Sequence, residues 1–142
     1  MEQKQRCRFA LLEQLFLFAM GGAAYLAAEL VWRGATHWTM FFAGGACFCL
    51  LVRLEARPGL TVAAGAAWGA AGITALELAV GQACLTLLGV RVWDYRAEWA
   101  DIAGFVCPKY TVLWYLLCFW LLSFLRLLRT APHSAPLPAA EG

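Results

Sequence analysis

Charged side chains are scarce in this chain, with 11 basic and 9 acidic residues making up 14% of its 142 positions. A formal charge of +2 leaves no basic surface for a nucleic-acid partner. The shortage also argues against a soluble globule. A chain this short that is 63% hydrophobic cannot hide so much apolar surface in one core, because small globules bury a smaller share of their surface. Lipid must cover the remainder. Two chemical signatures are missing as well. No Cys/His spacing matches a zinc site, and no GxxxxGK[ST] loop is present to cradle phosphate. No metal or cofactor is therefore expected, and any ATPase would be a separate subunit. No linker divides 1–129, which reads as one membrane domain. The stretch 130–142 is rich in Pro and Ala without apolar periodicity and reads as a disordered tail.

What is abundant points the same way. Trp32, Trp38, Trp93, Trp99 and Trp114 stand near the ends of apolar runs, as in an interfacial aromatic belt. Cys47, Cys49, Cys84 and Cys118 lie inside apolar runs, where thiols behave as small hydrophobes rather than as a disulfide framework. The basic N-terminus followed by an apolar run superficially resembles a signal peptide. The run contains Glu13, however, and continues to Glu29 without a small-x-small cleavage site, so it reads as the first membrane helix.

The pattern predicts an all-α membrane bundle of four transmembrane helices, at about 9–33, 37–52, 60–88 and 108–128. A partly ordered outer loop at 89–107 joins the last two. Gly34 is placed to end helix one and Thr36 to cap helix two. Gly44 and Gly45 in helix two, and Gly65 and Gly69 in helix three, are small residues that let neighbouring helices approach. Helix three, lined with alanines, is expected to be central. Its apolar run exceeds one membrane thickness, so it must tilt, break near Gly81 or project outward. Pro108 suits the first position of helix four.

Four spans put both termini on one side. Lys4, Arg6, Arg8, Arg53, Arg57, Arg126 and Arg129 outnumber Arg33, Arg91, Arg96 and Lys109, so that side is cytoplasmic by the positive-inside rule. The expected location is a cell membrane, with 89–107 facing outward.

The polar residues that survive within this apolar chain are the candidate site. Phe18, Gly22, Tyr25, Glu29 and Arg33 share one helical stripe, with Glu29 four residues before Arg33 in the favourable order for an ion pair. A tight hairpin would add His37. Glu77 stands above Ala63, Ala66, Ala70 and Ile73, so small residues aim it at protein, and an acid within a membrane segment is costly unless it faces a cavity or partner. Ala-Ala-Glu29-Leu and Ala-Leu-Glu77-Leu resemble a weak internal repeat that would set the two acids on facing helices. Glu29, Arg33, His37, Glu77 and Asp94 are thus expected to form one polar cluster near the outer interface. Arg33 would lie between the acids, and the 93–107 segment would cover them. Trp32, Trp38, Trp93, Tyr95, Asp101 and Cys107 are the supporting residues.

Several of these motifs are familiar. Glu29, Trp32-Arg33-Gly34, His37-Trp38, Met40 and Gly44-Gly45, followed by Glu77-Leu78, Gly81, Trp93-Asp94-Tyr95, Gly104 and Cys107, resemble the bacterial ABC-transporter type IV, or CmpB-like, permease family. Eukaryotic relatives are called transmembrane protein 229. The resemblance spans nearly all of 21–114. Departures are local, with Leu85, Arg96, Trp99 and Asp101 standing where the family pattern suggests Asn, a small polar residue, Pro and Asn. The resemblance implies a multi-pass membrane protein with a permease label and no established reaction.

Two function classes follow. One is a transporter permease or substrate-binding membrane subunit, in which the acids attract a cationic or polar solute. Four helices are few for a transport path, so this reading implies a homo-oligomer or a larger membrane complex. The other is a small membrane enzyme acting on a lipid or lipid-linked substrate, with His37 or Glu77 as general base. A plainer alternative is a structural or assembly partner. No nucleophile motif supports catalysis, which leaves the catalytic residues unknown and favours the non-enzymatic readings.

Overall fold

The computed structural model describes residues 2–130, with side chains from Phe9 onward. Four helices follow in order: α1 (Glu2–Arg33), α2 (Thr39–Glu55), α3 (Val62–Leu88) and α4 (Pro108–Thr130). The expected tail, beyond Thr130, lies outside the described residues. Three helices are long and apolar enough to cross a membrane: α1 over Phe9–Arg33, α3 and α4. The fourth expected span is not shown. With 17 residues α2 is about 25 Å long at 1.5 Å per residue, short of a hydrocarbon layer of about 30 Å.

The ends of the helices are set by local chemistry. Gly34, at φ 68°, turns α1 off, its N–H donating to the Leu30 carbonyl at 2.9 Å. The turn differs from expectation in one respect. Trp38 occupies the position before α2 with no side-chain cap, because the Thr36 hydroxyl is donated to Glu29 instead. Thr61 caps α3 by accepting from the Ala64 N–H, and the helix runs unbroken through Gly81 to Gly89, where φ is 66°.

The central helix is α2 rather than α3. It packs against all three other helices, whereas the backbone of α1 meets only α2. The α1–α2 seam is glycine against glycine: Gly44-Gly45 of α2, expected as packing residues, meet Gly21-Gly22 of α1, of which the sequence marks only Gly22, as part of the Glu29 stripe. A Cβ added at Gly22 would stand 2.5 Å from the Phe41 carbonyl oxygen, and one at Gly45 would stand 2.6 Å from that of Phe18. Across α3 the neighbours are side chains. Gly69 makes room for Leu51 and Cys118, and Gly65 for Leu122. Leu51, Leu54, Ala66, Ile73, Cys118 and Leu122 form the core there.

One end of the bundle is fastened by polar contacts. Arg129 pairs with the buried Glu55 at 3.1 Å, Arg126 donates to the Leu60 carbonyl at 2.8 Å, and Arg53 donates to Gln14 at 3.1 Å. The outer faces carry exposed Phe16, Trp68, Leu87, Trp120 and Leu127, apolar surface suited to lipid.

The 89–107 segment folds back over the opposite end. Phe105 and Cys107 are each 1% exposed and Trp93 is 7% exposed. Phe105 fills the space left by Gly81, and the Trp93 indole donates to the Phe105 carbonyl at 3.0 Å. Ile102 and Val106 pair as a short bridge, and the Tyr95 N–H donates to the Gly104 carbonyl at 2.8 Å. A second core of Met40, Trp93 and Phe105 joins this loop to α2, α1 and α3.

Candidate functional site

The five expected site residues have distinct surroundings: Glu29 and Arg33 form one pair, His37 packs at the start of α2, Glu77 lines a cavity and Asp94 lies in the loop itself. Glu29 is buried, its side chain 8% exposed. Its Oε1 accepts from Arg33 Nη1 at 2.7 Å and its Oε2 accepts from the Thr36 hydroxyl. The spacing of four residues on one helix face produces the first contact, and the Gly34 turn brings Thr36 back for the second. Arg33 also reaches the Val92 carbonyl in the loop at 3.5 Å. Glu29 is thus a satisfied, neutralised acid that ties α1 to the turn and the loop.

His37 stands apart from that pair. Its Nδ1 lies 2.8 Å from the Thr39 hydroxyl and its ring is 5.5 Å from that of Trp38, so its contacts brace the start of α2. Trp32 and Trp38 are exposed, on the rim rather than over the site.

Glu77 has a different environment. On the inner face of α3 it lines a small cavity of about 20 Å³ with Tyr25, Met40, Cys47, Trp93 and Trp114, room for about one water. Among the described residues no Lys, Arg or His comes within ion-pair distance of it. The Trp114 indole N–H is buried beside the carboxyl yet outside hydrogen-bond geometry, and has no partner among the described residues. The Tyr25 and Trp114 rings lie near-parallel, 6.3 Å apart. Tyr25 brings α1 to the Glu77 cavity, although the backbones of α1 and α3 do not touch. Tyr25 and Trp114 were not singled out in the sequence as site residues. Tyr25 could have been, since it shares the Glu29 stripe four residues earlier.

The loop supplies the roof. Tyr95 stacks on Tyr110 at 4.4 Å and 20°, and burial, together with the Glu77 charge, raises its phenol above the usual tyrosine range. Asp101 accepts from the Gly104 N–H at 2.8 Å and holds the loop's turn, while Cys107 is packed inside. Asp94 points elsewhere. It accepts from Arg96 Nε at 2.9 Å and from the Arg96 backbone N–H at 3.1 Å, and lies 3.9 Å from Arg91 Nη1. The hydrogen bonds from Arg96 hold its carboxyl down to about 2. Asp94 is an exposed member of a loop ion-pair network, and its charge is answered within the loop.

Beside the cavity, an apolar groove of about 310 Å³ runs between α2 and α3. It shares Ala43, Leu76 and Val80 with the cavity wall and continues along Phe42, Ala83 and Cys84. Among the described residues no group of three or more His, Cys, Asp or Glu is placed to hold a metal ion.

The model of one protein family, described as Putative ABC-transporter type IV, matches residues 11–136. No curated protein and no solved structure matches the chain.

Proposed function

Because the chain belongs to the Putative ABC-transporter type IV family, we propose that it is a substrate-binding permease component whose site is the Glu77 cavity under the loop. One observation carries this reading: a carboxyl set in the interior of an apolar helix, without a basic partner among the described residues, opening on a cavity roofed by the 89–107 loop. A buried acid that only fastens helices is expected to be paired, as Glu29 and Glu55 are. Membrane acids that are left unpaired mark solute or ion pathways.

The proposal includes the topology. In it α2 also crosses the membrane, since a helix enclosed by three others need not match the lipid thickness. Both termini are then cytoplasmic, in a cell membrane. Glu29, Arg33 and His37 form the rim of the site, with Asp94 at its outer surface. A single copy offers only a small cavity, so the working unit is a homo-oligomer or larger complex driven by a separate ATPase subunit.

A thermal-shift screen of polar and charged solutes against the protein in lipid nanodiscs tests the binding role. The expected result is stabilisation of the wild type by at least one solute and loss of that response in Glu77→Gln. Absence of any Glu77-dependent response overturns the reading.

A further inference from the structure

We infer that the Glu77 cavity binds a primary ammonium group whose apolar chain lies in the adjoining groove between α2 and α3. This rests on the binding role proposed above and names its substrate class. Four features of the cavity and groove carry it.

The first is charge. Glu77 is the acid of the cavity, and no basic side chain among the described residues neutralises it, so a bound cation would complete the pair that Arg33 completes for Glu29. The second is the wall. Tyr25, Trp93 and Trp114 line the same space, and aromatic faces attract cations electrostatically, most strongly where water is excluded. The third is size. A space of about 20 Å³ admits a water-sized –NH₃⁺ group and excludes a trimethylammonium head.

The fourth is adjacency. The groove of about 310 Å³ lies on the other side of Ala43, Leu76 and Val80, which line both spaces, and Phe42, Ala83 and Cys84 extend it. In the inferred complex the amine rests against Glu77 and the alkyl chain passes between these side chains into the groove. The buried Trp114 N–H, close to the carboxyl yet unpartnered, completes the arrangement. When a cation draws the carboxylate into a fixed position, this indole becomes its second hydrogen-bond donor.

A free alkylamine and an aminophospholipid headgroup present the same –NH₃⁺, and the test separates them. Binding of hexylammonium, methylammonium and hexyltrimethylammonium is measured by tryptophan fluorescence on the full chain in nanodiscs of phosphatidylcholine alone. The measurement is repeated with phosphatidylethanolamine included. Hexylammonium is expected to bind tightest, and Glu77→Gln to weaken it by about tenfold or more. Ala83→Phe, which fills the groove, should weaken hexylammonium and leave methylammonium unchanged. Competition by phosphatidylethanolamine identifies the lipid headgroup as the source, and its absence identifies the free amine. Equal binding of hexyltrimethylammonium, or hexylammonium binding that survives in Glu77→Gln, overturns the inference. If the amines fail while another solute gives a Glu77-dependent response, the ligand class is wrong and the permease reading stands.

Discussion

The two sides of α2 are built on opposite plans. Toward α1 the helices meet glycine to glycine, and the acid on that side, Glu29, is enclosed by Arg33 and Thr36. Toward α3 and α4 the contact is through side chains, and the acid there, Glu77, lines a cavity with no basic side chain among the described residues at ion-pair distance. The difference shows that an acid in an apolar helix is not by itself evidence of function. Close backbone contact and local hydrogen bonds turn one into a fastener, whereas looser packing leaves the other open to a ligand.

The sharpest way to break this comparison is to put the same methyl group on both sides. Gly45→Ala places a Cβ 2.6 Å from the Phe18 carbonyl oxygen, backbone that cannot yield, and should destabilise the protein by about 2 to 3 kcal/mol. Gly72→Ala, on α3, meets α2 only through the Leu50 side chain, its Cδ2 at 2.5 Å, an end that can move, and should cost less than about 1 kcal/mol. Unfolding in mixed detergent measures both. Equal costs would mean that the two sides do not differ in packing.

Next in size is Arg33→Ala, which leaves Glu29 buried with only Thr36. Arg33 is itself 44% exposed, which moderates the loss to about 2 kcal/mol in the same assay. Glu77→Gln should change stability by less than about 1 kcal/mol, since no partner is lost, while removing the ligand response. If Glu77→Gln destabilises as much as Arg33→Ala, the two acids are both fasteners.

The smallest effect is at Asp94. Its carboxyl is held down to about 2, chiefly by Arg96, so folding favours its charged form. The contribution is present above the ordinary carboxylate value of about 4 and is lost as pH falls toward 2. Asp94→Asn should remove only this acid-side dependence, as followed by amide exchange in the loop, and leave the Glu77 site untouched.

Much of this molecule could be read from its residues. The helical class, the pairing of Glu29 with Arg33, the turn at Gly34 and the start of α4 at Pro108 all depend on composition or on contacts within a few residues. Such features follow from helix geometry and side-chain chemistry regardless of what packs where. The order of packing did not follow. Alanine-rich α3 has the look of a central helix, but Gly21-Gly22 and Gly44-Gly45 give α1 a closer fit to α2, and that fit places α2 in the middle. Asp94 looked equally able to turn inward, and its Arg96 and Arg91 neighbours hold it in the loop. Only the tertiary structure set Tyr25 of α1 and Trp114 of α4 around Glu77 of α3, because a cavity between helices depends on the shapes of several distant faces at once. The sequence by itself determined that there is an acid at position 77. The fold decided that no basic residue among the described ones stands beside it.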